Sequence, residues 1–134
     1  MSARGIYGLT AMVELAAHFE RGPMQIREIA DAHDIPQHYL EQILVALKKA
    51  GLVDSHRGAQ GGYFLARRPG RIAVIDILGT LEGPLEVVPA QRRRGVLDSF
   101  WSDLDRKLRD FLGLSLEQLM ERTKTAQDEF TYVI

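Results

Sequence analysis

The chain has 134 residues, 46% of them hydrophobic and 26% charged, which is enough apolar material for the core of one domain. It contains no cysteine, so disulfides, thiolate redox switches and cysteine-ligated zinc or iron–sulfur centres are excluded by chemistry. The formal net charge of −1 hides an uneven distribution: between Lys48 and Arg71 six Lys and Arg residues stand against the single anion Asp54, whereas from Ile72 onward eleven acidic residues outnumber eight basic ones. No apolar run approaches the roughly 20 residues needed to cross a bilayer, and Met1-Ser2-Ala3-Arg4 leads into helix-like sequence without a signal peptide's apolar region. A cytoplasmic protein with no membrane partner is expected.

Apolar residues at Tyr7, Ala11, Met12, Leu15, Ala16 and Phe19 recur at helical spacing and predict a helix over 5–20, ended by Arg21-Gly22-Pro23. A short second helix follows from Gln25 to about His33, burying Ile26, Ile29 and Ala30, and Asp34 suits the tight turn after it. The third helix starts at Pro36, whose fixed φ fits a first helical turn, repeats Leu40, Ile43, Leu44 and Leu47 on one face, and stops at Gly51. Residues 52–66 then alternate with period two around the glycine-rich tip Gly58-Ala-Gln-Gly-Gly62, the pattern of a β-hairpin. A fourth helix is predicted from Val74 to Leu81, then a linker reaching Arg92-Arg93-Arg94. The longest helix is expected next, with Leu97, Phe100, Trp101, Leu104, Leu108, Phe111 and Leu112 along one stripe. Ser115-Leu-Glu-Gln118 reads as a capping box opening a last short helix to about Arg122, and the segment from Asp128 to Ile134 is too short and exposed to form a core element by itself.

Three helices and a hairpin in this order make a winged helix-turn-helix, so the predicted fold is mainly α with a small β-hairpin wing and a long C-terminal dimerisation helix. The expected division is a DNA-binding head over 1–83, a linker loop over 84–95 and a dimerisation segment over 96–134. In the first turns of the third helix Gln37, His38, Glu41 and Gln42 point away from the apolar stripe, and these side chains can read bases: glutamine pairs with adenine, glutamate accepts from cytosine and histidine donates to guanine. By itself the same pattern would suit a solvated helix face. The wing favours nucleic acid, because Arg57 stands at its tip and Arg4, Arg27, Lys48 and Lys49 can serve as phosphate contacts. The glycine-rich tip is followed by a strand rather than a helix, which argues against a nucleotide-binding loop. Histidines at metal spacing and a Gly-x-Ser-x-Gly nucleophile are lacking from the sequence, so neither a metal site nor an enzyme is expected. The stripe around Trp101 is best read as core or dimer seam. Two other readings stay open: control by a small effector in a pocket between the long helix and the head, and a protein-interaction adaptor that does not bind DNA.

Tyr7-Gly8-Leu9, Ile29-Ala30, Tyr39-Leu40-Glu41-Gln42, Leu44, Leu47, Gly51-Leu52-Val53, Arg57-Gly58, Gly61-Gly62-Tyr63 and Trp101 together resemble the Rrf2 family of bacterial transcriptional regulators over nearly the whole chain. The resemblance implies a homodimer joined by the long helix through Leu97, Phe100, Trp101, Leu104 and Leu108, set on a palindromic operator in double-stranded DNA. It further implies that Glu41 and Gln42 read bases, that His38 and Tyr39 touch bases or phosphate, and that Arg57 enters the minor groove. Two positions depart from the family pattern: Ile6 stands where a basic residue is usual, and Pro36 replaces a serine cap. Cluster-binding members carry three cysteines before the long helix, whereas this chain has Pro84-Leu-Glu-Val-Val-Pro-Ala-Gln-Arg-Arg-Arg-Gly95, so no cofactor is expected.

Within the family the subtype most resembled is the clusterless repressor of cysteine metabolism, described as working with cysteine synthase, the enzyme O-acetylserine sulfhydrylase. Tyr132-Val133-Ile134 resembles the isoleucine-ending tails that plug that enzyme's active site, which implies capture of the Ile134 carboxylate with its side chain in the adjacent apolar space.

Overall fold

Helix α1, Ala3–Ala17, starts where the Ser2 hydroxyl accepts from the Gly5 amide at 3.4 Å. The computed structural model describes residues 1–133, with side chains described through Asp128. Ser2 is itself held from a distance, its amide and hydroxyl donating to Glu82 Oε1 at 2.9 and 2.7 Å. The helix buries Ala11, Met12, Leu15 and Ala16. It ends earlier than the apolar stripe suggested: Phe19 lies beyond it and is exposed, because the chain turns through His18 and reaches a left-handed Gly22 with φ of 90°. Across α1 lies α4, Val74–Glu82, in contact close enough that any Cβ at Gly8 would collide with the Leu81 side chain.

Helices α2, Ile26–His33, and α3, Gln37–Lys49, are joined by three residues. Asp34 takes the left-handed conformation there, with φ of 52°, at the turn where its short polar side chain was expected to help. Ile35 is buried in the turn, and Pro36 takes the N-cap position rather than the first helical turn. Leu40, Ile43, Leu44 and Leu47 close the core beneath α3.

Strands β1, Val53–His56, and β2, Gly62–Leu65, pair antiparallel with Val53 opposite Leu65 and His56 opposite Gly62. Val53 and Leu65 point into the core. β2 is also anchored by a bridge to Met24, two residues before α2: Met24 N donates to Tyr63 O at 2.8 Å, and Tyr63 N donates back to Met24 O at 2.7 Å. The result is the winged helix fold.

After α4 the chain runs through a loop with one 3-10 turn, Ala90–Arg92, into α5, Asp98–Leu112. Leu97 is its N-cap rather than its first helical residue, and Leu97, Phe100, Leu104 and Phe111 are exposed while Trp101 and Leu108 are half-buried. The longest helix is instead α6, Leu116–Val133, at 18 residues against 15 for α5. Its start is the expected capping box, with Gln118 N donating to Ser115 Oγ at 3.0 Å and Ser115 N to Gln118 Oε1 at 2.8 Å. It does not stop near Arg122, because neither glycine nor proline interrupts 116–133. Leu116 is fully buried in the head's core, and its amide donates to Ile72 O at 2.8 Å, so α6 packs back onto α1 across the expected division between head and dimerisation segment. Among the described residues no helix is long and apolar enough to cross a membrane.

Candidate nucleic-acid interface

Burial of Leu40, Ile43, Leu44 and Leu47 leaves Gln37, His38, Glu41 and Gln42 exposed on the opposite side of α3. His38 and Gln42, one turn apart, approach at 3.4 Å between Nε2 atoms. Tyr39 differs from the others: it is half-buried with its ring edge-on to Tyr7 of α1, centroids 5.8 Å apart, so packing constrains it. Val45, which sequence reading passed over, is 42% exposed on the same face. Its signal was the spacing 38, 41, 42, 45, and an apolar side chain there suits a thymine methyl group. No side chain caps α3, so its first amides are left for an external acceptor such as phosphate.

The wing flanks this helix through specific contacts. Lys48 Nζ donates to Ser55 Oγ at 2.7 Å and lies 3.8 Å from Asp54 Oδ1, tying the end of α3 to β1. Lys48, expected to contact phosphate, therefore also braces the wing, and both it and Lys49 are exposed. Burial pushes the Tyr63 phenol of β2 above its ordinary pKa, helped by the negative charge of Glu41. At the tip, Gln25 Nε2 donates to Ala59 O at 3.2 Å, and Gly61 N to Gly58 O at 3.0 Å. Gly58 has φ of 103°, and a Cβ at Gly61 would strike the His56 carbonyl, so both glycines are required by the turn. His56 stacks on Phe64 with centroids 4.6 Å apart, stiffening the strand that leads to Arg57. Arg57 is exposed and makes no ion pair among the described residues.

Arg27 is exposed in the first turn of α2 and Arg4 half-buried in that of α1. The structure thus groups Gln37, His38, Glu41 and Gln42 on one polar face of α3, and the wing that carries Arg57 is tied to the end of that helix through Lys48 and Ser55. Leu97, Phe100, Trp101, Leu104 and Leu108 lie apart from that face, along α5. Tyr132, Val133 and Ile134 fall outside the residues whose side chains are described.

The Rrf2 family, described as an iron-dependent transcriptional regulator, matches over residues 1–122. The chain is 37% identical to the HTH-type transcriptional regulator CymR of Bacillus subtilis (strain 168), covering 100% of this chain and 99% of that protein. The solved structure of CymR (YrzC), the global cysteine regulator of B. subtilis, superposes with a TM-score of 0.83 at 37% identity, over 91% of this chain and 96% of that one. T. potens IscR superposes with a TM-score of 0.82 at 40% identity, over 95% and 90%. The iron in the family description finds no matching donors here: the chain has no thiolate, and among the described residues no three His, Asp or Glu side chains converge as a metal site.

Proposed function

Since the chain belongs to the Rrf2 family of transcriptional regulators, we propose that it acts as a homodimeric repressor that places α3 in the major groove and the wing in the adjoining minor groove of a palindromic operator. The observation that carries this reading is the exposed Gln37, His38, Glu41, Gln42 face of α3 with Arg57 on a wing braced against it by Lys48 and Ser55. Dimerisation is supported by the exposed apolar stripe of Leu97, the N-cap, with Phe100 and Leu104 of α5, which a second copy would cover. Selection of a binding site from random duplexes, followed by affinity measurements across a salt series, tests the reading. A palindromic consensus with a steep salt dependence is the expected result, and salt-independent binding with no preferred sequence would sink it.

The regulated genes are those of cysteine and sulfur metabolism, a reading supported by the likeness to CymR. Without cysteines to hold a cluster, the signal comes from a protein partner, cysteine synthase, which binds the Tyr132-Val133-Ile134 segment. Calorimetry with that enzyme should show binding that disappears when Ile134 is removed; equal affinity of both forms would refute the partner. A second reading has one specific support. A groove of 420 Å³ between α4 and α5, lined by Ile75, Gly79, Gly83, Pro84, Leu85 and Arg109, has the place and charge for a small anionic effector. A Gly79→Leu substitution, which fills the groove, would abolish the response to such an effector and leave operator binding intact.

A further inference from the structure

Among the described residues one charged side chain is withdrawn almost wholly from water: Asp105, 2% exposed, on a helix whose other side chains are exposed or half-buried. Its Oδ1 accepts the Val87 amide at 2.8 Å, and its second oxygen pairs with the Arg93 guanidinium. Arg93 in turn donates through Nε to the Val88 carbonyl at 2.9 Å and through Nη1 to Ser102 Oγ at 3.5 Å. Two loop backbone groups, one guanidinium and two side chains from successive turns of α5 thus form a single knot. The flanking Arg92 and Arg94 are exposed, so of the three consecutive arginines only Arg93 is committed to it.

The loop has little else to give it shape. Between Glu82 and Leu97 it holds one 3-10 turn, and Gly83 and Gly95 adopt left-handed φ of 82° and 98°. At its start, Glu82 fastens α4 to the first turn of α1 through Ser2. At its far end, the Arg93–Asp105 knot fastens it to α5. A segment expected to behave as a linker is therefore tied down on both sides. Buried ion pairs contribute little net stability, because desolvation offsets their attraction; what they can supply is one geometry in place of many.

We propose that Arg93 and Asp105 are positioning residues for operator binding, acting as a clamp that fixes the head relative to α5 and so sets the separation of the two recognition helices. This rests on the dimeric DNA-binding reading above. Two heads on one dimer must match half-sites about one helical turn, ~34 Å, apart. When the clamp opens, only a fraction of dimers has the matching separation, and apparent affinity falls by that fraction without any lost phosphate contact.

The test uses the full chain with Asp105→Asn, Arg93→Lys and the exchanged pair Asp105→Arg with Arg93→Asp. Each is measured against the selected palindrome and against palindromes whose half-sites are moved by one or two base pairs. The single variants should bind the optimal palindrome about tenfold or more weakly, the loss expected when the competent fraction falls to a tenth. They should also lose discrimination against altered spacing, keep the wild-type salt slope, and sediment as dimers. Partial recovery in the exchanged pair identifies the pair itself as the cause. Hydrogen exchange at the Val87 amide reports the clamp without DNA and should speed up in Asp105→Ala. Single variants that bind and discriminate like wild type overturn the proposal alone, as do variants that become monomers or an Arg93→Lys variant whose salt slope drops. Wild-type protein that selects no duplex overturns the DNA-binding reading together with it.

Discussion

Arg57 is the side chain on which the electrostatic argument turns, because it stands exposed on a braced wing while the chain as a whole carries a net charge of −1. If it contacts the phosphate-lined minor groove, Arg57→Ala should weaken operator binding and reduce the slope of log affinity against log salt by about 0.9, one released counterion. Anisotropy titrations at four or five salt concentrations check this, and an unchanged slope would remove Arg57 from the interface. Glu82 makes a different prediction. Hydrogen bonds from Ser2 hold its carboxyl below its ordinary pKa of 4.5, the amide and hydroxyl favouring the charged form. A depressed folded-state pKa means stabilisation that is present above 4.5 and disappears as pH falls through the lower folded value. Glu82→Gln should therefore be less stable than wild type at neutral pH, with the gap closing on acidification; urea midpoints from pH 7 to pH 3 would show it. Ser2 and Glu82 lie 80 positions apart, so no local pattern in the sequence could join them.

At the scale of the element, α3 and the wing were legible because their signals are local. A period of 3.6 puts Leu40, Ile43, Leu44 and Leu47 on one side, and whatever is polar must then face out. Glu41→Ala should relax preference at one operator position by about 1 to 3 kcal/mol, and a selection on the variant should show the consensus blurred there and nowhere else. Val45→Ser tests the residue that pattern reading passed over, with the expected loss confined to a thymine-containing step. The later helices carry weaker local signals. The apolar stripe of α5 is the longer and that of α6 fades near Arg122, yet α6 continues for three more turns on helix propensity and the lack of a breaker.

For the whole molecule, the decisive feature is that α5 and its N-cap leave Leu97, Phe100, Leu104 and Phe111 in water. Replacing Phe100 and Leu104 together by glutamate should convert a dimer to a monomer by sedimentation and lower operator affinity by several orders of magnitude, since each head would then bind alone. A double variant that remains dimeric would move the interface elsewhere. The amino-acid sequence by itself determined the helix-helix-helix-hairpin order, the polar face of α3, the position of Arg57 at the hairpin's tip and the exclusion of a thiolate-held cluster. Each of these depends on neighbours within a few residues or on composition alone. Only the tertiary structure decided that Leu116 brings α6 into the head's core, that Tyr39 is half-committed to Tyr7, and that Lys48 braces the wing. It also decided that Arg93, one of three identical neighbours, is the arginine taken into a knot with Asp105. Such contacts join residues whose separation along the chain carries no periodic signal, and they form only once helices packed for other reasons have brought their side chains together.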